Sequence, residues 1–271
     1  MNGDLANTIA LGLHGSVWLA SGTGRAPALE RSNSTFGYVD VVDFASATAR
    51  GRKAKPVTGT AAWLKGLKKS GASRLRLVVF DKAPSAEPPQ VAVAYEGGGQ
   101  WALLSDGDLP TLWVPSWTYA NPHHRDNRVW NIRYTGHAVD TSVTPHWPEV
   151  TAATEALRHQ LVGAADFARA NELAYWASWF DGALAQLEAE SPEIAYHPDI
   201  APRDAISAEA HRLLAMAVQA WVFGGMGTWN DLWLDDERAQ ARYDEVSSSL
   251  YRAILSACVA ATNADLTGAE R

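Results

Sequence analysis

The spacing of apolar residues predicts a helix at the start of the chain. Leu5, Ile9, Leu13 and Val17 recur every four residues, which places them on one face of an α-helix. Asp4 precedes them, and its carboxylate can accept a backbone N–H of the first helical turn. The pattern therefore predicts a helix that begins near Asp4.

Alternation between apolar and polar positions predicts strands over much of the next hundred residues. Five segments share a content of β-branched and aromatic residues: 35–44, 74–81, 91–95, 101–104 and 129–139. The third and fourth flank the sequence Glu-Gly-Gly-Gly-Gln, which is typical of a β-hairpin. Residues 61–69 have helical spacing and end at Ser-Gly. The first half therefore predicts a sheet with one or two helices on one of its faces.

The second half has the three-to-four-residue spacing of helices throughout. Four segments show it: residues 150–170, residues 172–190, a segment capped by Ser207, and residues 236–263. Because the links between them are mostly short, they predict a bundle of about four helices. The fold class predicted for the whole chain is α+β, with a mixed α/β part at residues 1–148 and a helical part at residues 149–271. These two parts are either separate domains or one integrated domain.

Charge is divided unevenly between the two halves. Residues 1–150 contain 15 Lys+Arg and 12 Asp+Glu, whereas residues 151–271 contain 8 and 18, so the net charges are +3 and −10. Residues 50–82 alone hold ten of the basic residues and a single acidic one, Asp81. Such a cluster could bind nucleic-acid phosphates. The favoured interpretation is a solvated face or a face that docks onto the acidic second half, which makes nucleic acid an unlikely partner.

The composition indicates a globular protein of the cytoplasm. Hydrophobic residues make up 47% of the chain, and no apolar stretch is long enough to predict a membrane span or a signal peptide. The single cysteine, Cys258, falls at an apolar position of the last predicted helix and is interpreted as a core residue. Tryptophan is unusually frequent, with 12 residues. Many of these rings should serve the core, and several in one loop would indicate a binding surface.

Residues 112–133 contain the densest set of groups that could carry chemistry. Pro115 and Pro122 predict an irregular loop there rather than a helix. In the functional interpretation, Trp117, Tyr119 and Trp130 form the walls of a ligand site. The alternative is an ordered loop whose tryptophans anchor it to the core. The pattern leaves both interpretations open.

The polar residues of that loop have predicted roles in the functional interpretation. His123 or His124 would act as an acid or base, and Asp126 would orient the imidazole. Arg125 or Arg128 would bind an anionic group of the ligand. A metal site would need a further ligand such as His137 or His146, and adjacent histidines of an extended chain point in opposite directions. No metal is therefore predicted, and the cofactor is left unspecified.

A glycine-rich segment, residues 224–231, provides a second candidate. Three glycines within four residues permit close approach of the backbone and could direct Asn230 and Asp231 into a cleft. The alternative is that Gly224 ends a helix after Phe223 and that the rest is a tight turn. No P-loop or nucleophile-elbow sequence is present.

Three functions follow from these patterns. The first is a small-molecule binding protein or enzyme with its site in the loop at residues 112–133. The second is a non-catalytic protein-interaction module, with tryptophan anchors that bind a partner or a second copy of the chain. The third is nucleic-acid binding through residues 50–82.

Overall fold

A computed structural model of the chain has the predicted α+β architecture. The structure describes seven parts of the sequence: residues 1, 3–46, 55–80, 88–94, 100–120, 126–139 and 147–267. In the first half of the described chain, six strands form one mixed sheet. Four helices make up most of the second half. The predicted fold class and the predicted bundle of about four helices are therefore confirmed.

Helix α1 (Gly3–Ser21) lies inside the molecule, where it is buried on nearly all sides. Two small residues allow this close packing. A Cβ added at Gly15 would lie 2.6 Å from the Cδ1 of Leu75. The Ser16 hydroxyl donates to the Leu75 carbonyl at 3.0 Å and accepts the Leu75 N–H at 2.9 Å. The predicted helix is confirmed, and its small residues bring it against the sheet. The predicted cap at Asp4 is wrong, because the helix begins at Gly3 and Asp4 lies in its first turn.

The sheet combines one parallel pair with four antiparallel pairs. Its strands are β1 (Val39–Ser46), β2 (Val57–Thr58), β3 (Leu75–Val79), β4 (Trp101–Ser105), β5 (Thr111–Tyr119) and β6 (Trp130–Ala138). They are arranged in the order β2-β1-β6-β5-β4-β3, and only β1 and β6 are parallel. Helix α2 (Leu29–Ser32) precedes the first strand, α3 (Thr60–Lys69) connects β2 to β3, and α4 (Pro89–Ala92) lies between β3 and β4. The predictions for β3, β4, β6 and α3 are confirmed.

The prediction that residues 112–133 form an irregular loop is wrong for most of that segment. Strand β5 continues through Pro115, which is paired with Tyr134 of β6. In the described register, β4 pairs with β5 only at residues 111–113, so the far side of Pro115 has no strand beside it. A proline is tolerated at such a position because no ladder hydrogen bond is lost. Residues 121–125, including Pro122, lie outside the described residues.

Two other strand predictions need correction. Residues 89–92 form the helical turn α4 rather than the first strand of a hairpin, because Pro88 and Pro89 favour a helix start. Strand β1 begins at Val39 rather than at Thr35. The Asn33 side chain accepts the backbone N–H of Thr35 at 3.0 Å and caps a 3₁₀ turn over Ser34–Phe36.

The second half contains helices α5 (Val150–Ala170), α6 (Ala174–Ala185), α7 (Ala208–Gln219) and α8 (Glu237–Asn263). The predicted cap at Ser207 is confirmed, since its hydroxyl accepts the Ala210 N–H at 3.2 Å. Asp236, which was not predicted as a cap, accepts the Ala239 N–H at 2.8 Å in the same way. The prediction that Gly224 ends the third of these helices is wrong. Helix α7 ends at Gln219, before the bulky sequence Trp-Val-Phe.

Basic residues of the first half contact the end of α8. The Arg74 guanidinium donates to the carbonyls of Asn263 and Ala264, and Arg76 donates to the Asn263 carbonyl at 3.4 Å. Cations are favoured there because the last carbonyls of a helix carry partial negative charge. These two residues therefore dock onto the second half. Arg50, Arg52, Lys53 and Lys82 of the predicted basic cluster lie outside the described residues, and the domain division at residue 148 stays a prediction.

Candidate functional site

Three aromatic residues of the predicted loop site meet at one end of β5 and β6. The Trp117 and Trp130 rings are 5.9 Å apart and the Tyr119 and Trp130 rings 5.4 Å apart, both edge to face. Tyr119 is 59% exposed, whereas Trp117 and Trp130 are half-buried. The pairing register explains this contact, because Tyr119 lies opposite Trp130 and Trp117 lies opposite Ile132. Side chains at these positions share one face of the sheet.

The polar residues of the predicted loop site occupy different environments. Arg128 donates from its guanidinium to the carbonyls of Glu30, at 2.8 Å, and Val39, at 3.3 Å. Asp126 is exposed. His123, His124 and Arg125 lie outside the described residues. The acid–base and anion-binding roles assigned to this loop stay predictions.

Asn230 and Asp231 lie at the end of the glycine-rich segment and bond back to its beginning. The Asn230 amide donates to the carbonyl of Gln90 at 3.0 Å and to the carbonyl of Gly224 at 3.4 Å. The Asp231 carboxylate accepts the backbone N–H of Gly227. These contacts hold the segment in position, and a ligand-binding role for either residue stays a prediction.

A cleft of about 420 Å³ lies between α6 and the segment that follows α7. We call it the aromatic cleft. Six aromatic residues line it: Tyr175, Trp176, Trp179, Tyr196, Trp221 and Phe223. Gly224, Gly225, Gly227 and Thr228 line it as well, and Met1, Val93, Ala94 and Val222 complete the lining. Ligand sites in proteins are typically about 300–1,000 Å³ and are lined mainly by apolar and aromatic side chains with few polar groups.

One face of α6 supplies three of these rings. Successive residues of a helix are rotated by about 100°, so Tyr175, Trp176 and Trp179 lie on one side of it. The Tyr175 ring is 5.0 Å from the Trp176 ring and 6.1 Å from the Trp179 ring. Phe180, one position further around the helix, is fully buried in the core. The helix therefore presents aromatic side chains both to the core and to the cleft.

Contacts behind the cleft fix the α6 rings. Trp176 packs edge to face on Trp229, with ring centroids 5.5 Å apart. Trp229 is itself fully buried, and its indole N–H donates to Ser247 at 2.7 Å. The Trp179 indole N–H donates to the Gln219 carbonyl at 2.7 Å. Rings held in this way lose little conformational entropy when a ligand binds, which favours affinity.

The segment after α7 forms the opposite wall. The Trp221 indole N–H donates to the Phe223 carbonyl at 2.8 Å, and the two rings are edge to face at 6.1 Å. The Thr228 hydroxyl donates to the Gly225 carbonyl at 2.8 Å and closes the turn. Open space surrounds the Cβ positions of Gly225 and Gly227, because no heavy atom lies within 4 Å of either one. The backbone of this turn is therefore accessible to a ligand.

Tyr196 lines the cleft in a strained backbone conformation. Its φ is +64°, in the left-handed region that bulky side chains rarely adopt, and its side chain is 77% exposed. Strain of this kind costs on the order of 1–3 kcal/mol and occurs preferentially at functional sites. The observation therefore supports a role for this cleft beyond packing.

The lining of the cleft contains no charged side chain of either sign among the described residues. One carboxylate lies at its edge, that of Asp231, which accepts the backbone N–H of the lining residue Gly227. In the described ranges, no three His, Cys, Asp or Glu side chains are placed to bind a metal ion. Cys258 is fully buried, and burial raises the pKa of its thiol to about 12, so the thiolate is scarce at neutral pH.

A separate cleft near α1 contains charged groups. His14, His211, Arg203, Arg212 and Asp199 are among its lining residues. The His14 Nε2–H donates to the Asp199 carbonyl at 2.9 Å, and burial lowers the pKa of His14. Burial also lowers the pKa of His211. These contacts give His14 a structural role between α1 and the segment before α7.

The aromatic cleft was not predicted from the sequence, because residues 172–190 were interpreted only as one helix of the bundle. A usable signal was present. Tyr175, Trp176, Trp179 and Phe180 together span roughly 140° of the helix surface. The helix also buries the small residues Ala177 and Ala183, so the aromatic arc is wider than a single core-facing stripe requires. The glycine-rich segment was recognised, although its partner helix was not.

Comparisons of the chain with protein-family models, with curated proteins and with solved structures found no match. Within the parts of the chain that the structure describes, no helix combines the length and the apolar character needed to cross a membrane. The chemistry of the aromatic cleft is therefore the basis of the functional interpretation.

Proposed function

We propose that the protein binds a small organic molecule in the aromatic cleft. The observation that carries this proposal is the convergence of six aromatic residues, from α6, Tyr196 and the segment after α7, around a space of about 420 Å³. Their rings are held by contacts that do not depend on a ligand, such as the bond from Trp179 to Gln219. A preformed site of this size suits a metabolite rather than a polymer.

A fragment screen monitored by ligand-observed NMR and tryptophan fluorescence tests this function. We expect neutral or charged fragments with an apolar group to bind the wild-type protein. Tyr175→Ala should weaken this binding by about tenfold, the effect of losing roughly 1.4 kcal/mol of ring contact. Tyr38→Ala is the matched control, because Tyr38 is 67% exposed and Tyr175 is 65% exposed. Fragments whose affinity is the same in both variants and in the wild type would contradict the proposal.

The loop site at residues 112–133 is a second candidate, favoured by the contact of Trp117, Tyr119 and Trp130. In this proposal His123 or His124 acts as the acid or base, and Arg125 or Arg128 binds an anion. His124→Ala should then abolish binding or activity and leave the melting temperature nearly unchanged. A large loss of stability with retained binding would assign the loop a structural role.

The protein-interaction function rests on one observation. Trp233 is 77% exposed, whereas the other tryptophans are buried or half-buried. An exposed tryptophan is a typical interface anchor. Light scattering of the wild type and of Trp233→Ala tests for a homo-oligomer, and cell fractionation tests the proposed cytoplasmic location.

A further inference from the structure

We propose that the ligand of the aromatic cleft is an organic cation that carries a substituted ammonium group. This inference rests on the proposed function and names its ligand class. Four properties of the cleft support it: the type of ring in its walls, the charge at its edge, its polar groups and its size.

The walls have the chemistry that attracts a cation. The faces of aromatic rings carry negative electrostatic potential, which is strongest for tryptophan and then tyrosine. The cleft is lined by three tryptophans and two tyrosines: Trp176, Trp179, Trp221, Tyr175 and Tyr196. An ammonium group with alkyl substituents is weakly hydrated, so it gains from ring contact and from burial of its methyl groups.

The charges around the cleft select against anions. The Asp231 carboxylate lies at the edge, bonded to Gly227. Most of the lining, 11 of 14 residues, belongs to the second half of the chain, which has 8 basic and 18 acidic residues. Met1, from the first half, also lines the cleft. Burial lowers the pKa of its α-amino group to about 6, so this group is mostly neutral at pH 7. A cation is therefore attracted and a carboxylate or phosphate is repelled.

The polar groups of the cleft also fit this ligand class. The Thr228 hydroxyl donates to carbonyls of the glycine-rich segment, so it remains an acceptor for a ligand hydroxyl or N–H. The cleft contains no guanidinium or lysine amine that could pair with an acidic ligand, within the described lining. The volume of about 420 Å³ lies near the lower end of the range for ligand sites, which limits the ligand to a small metabolite.

Two probes of the same shape separate charge from shape. Choline and 3,3-dimethyl-1-butanol differ in one atom, because a neutral carbon replaces the quaternary nitrogen. Titrations of the full chain by NMR at low ionic strength should give at least tenfold tighter binding of choline. Tyr175→Ala should weaken the binding of choline by more than fivefold.

The contribution of Asp231 is tested with a substitution that keeps its hydrogen bond. Asp231→Asn retains an oxygen that can accept the Gly227 N–H and removes the negative charge. It should weaken choline binding three- to tenfold and leave the binding of 3,3-dimethyl-1-butanol unchanged. Glu155→Gln is the control for net charge, because Glu155 is exposed and lies far from the cleft. It is about 18 Å along α5 from Phe167, the residue of that helix that packs against Trp229 behind the cleft. It should leave both affinities unchanged.

The outcomes separate this inference from the proposed function. Equal affinities for the two probes would overturn the inference and leave the cleft as a site for neutral ligands. Preference for 3,3-dimethylbutanoate, the matching anion, would also overturn it. If neither probe binds although fragments from the earlier screen do, the ligand class is wrong and the binding function stands.

Discussion

The side-chain amide of Asn263 forms two hydrogen bonds with the backbone of Leu77. Its oxygen accepts the Leu77 N–H at 2.7 Å and its nitrogen donates to the Leu77 carbonyl at 2.9 Å. Leu77 lies on β3, the edge strand of the sheet, and Asn263 is the last residue of α8. The amide therefore takes the place of a neighbouring strand and protects an edge that could pair with another chain.

Asn263→Ala should destabilise the protein by about 2–4 kcal/mol, because it leaves a buried N–H and a buried carbonyl without partners. Chemical denaturation measures this change. Asn171→Ala is the control, since Asn171 makes one bond, to the Phe167 carbonyl, at a partly buried position. It should cost at most about 1 kcal/mol. Similar losses in the two variants would show that the Leu77 contact contributes little.

Alanine should have opposite effects at two helical glycines. At Gly15, the new Cβ would lie 2.6 Å from Leu75 Cδ1 and 3.0 Å from Leu64 Cδ2. Overpacking of this kind typically costs about 1–3 kcal/mol. At Gly163 of α5, nothing lies within 4 Å of the Cβ position. There alanine should stabilise the protein by about 0.5–1 kcal/mol through its higher helix propensity. Melting temperatures that shift in the same direction would refute the close packing of α1.

Replacement of Tyr196 should separate stability from binding. Tyr196→Gly should stabilise the protein or leave it unchanged, because glycine adopts φ of +64° without the strain of roughly 1–3 kcal/mol that a side chain brings. The same change removes one wall of the aromatic cleft and should weaken ligand binding at least threefold. Tyr196→Asn should show a smaller relief of strain, since asparagine tolerates this conformation better than tyrosine. A marked loss of stability in Tyr196→Gly would mean that the ring contributes to the core.

Partly buried histidines should make the fold sensitive to mild acid. Burial lowers the pKa of His14, and the Asp199 carbonyl and carboxylate offset only part of that effect. The unfolded chain therefore binds a proton at higher pH than the folded chain, with an unfolded pKa of about 6.5. Stability from the neutral imidazole is complete above that pH and decreases as the pH falls below it. Burial lowers the pKa of His197 and of His211 in the same direction.

Thermal unfolding between pH 7.5 and pH 5 measures this dependence. His14→Gln keeps an N–H donor for the Asp199 carbonyl and cannot be protonated, so its stability should decrease less over this range than that of the wild type. His159→Gln is the control, because His159 is exposed on α5. It should follow the wild-type curve. A parallel decrease in wild type and His14→Gln would assign the acid sensitivity to other groups.

The elements predicted correctly are those that local chemistry determines. Ser207 was identifiable as a cap because a side chain that accepts an N–H three residues later needs no distant partner. Strand β5 was missed because proline normally disrupts a strand by removing a ladder hydrogen bond. Whether Pro115 removes one depends on which strands lie beside it, and the sequence alone does not give these neighbours. The start of β1 was misplaced because the alternating pattern of a strand extends back to Thr35. In the structure, the bond from the Thr35 N–H to the Asn33 side chain holds this residue in a 3₁₀ turn instead.

The candidate site was less predictable for a related reason. Helical periodicity places Tyr175, Trp176 and Trp179 on one face, but it does not say whether another element covers that face. Trp229, more than fifty residues later, covers the back of Trp176 and leaves Tyr175 at the surface. Trp117, Tyr119 and Trp130, which were predicted to line a loop site, do meet, because β5 pairs with β6. The prediction of an irregular loop did not include this pairing.

The parallel pairing of β1 with β6 also sets an order in time. During synthesis, Val39–Ser46 is made about ninety residues before its neighbour Trp130–Ala138, yet both strands lie in the interior of the sheet. Until β6 is available, β1 has only the two-residue strand β2 beside it. Pairings between segments so distant in the chain are slow to form because a long loop must close first. Among the described strands, β1 is therefore made early but gains its long partner, β6, late.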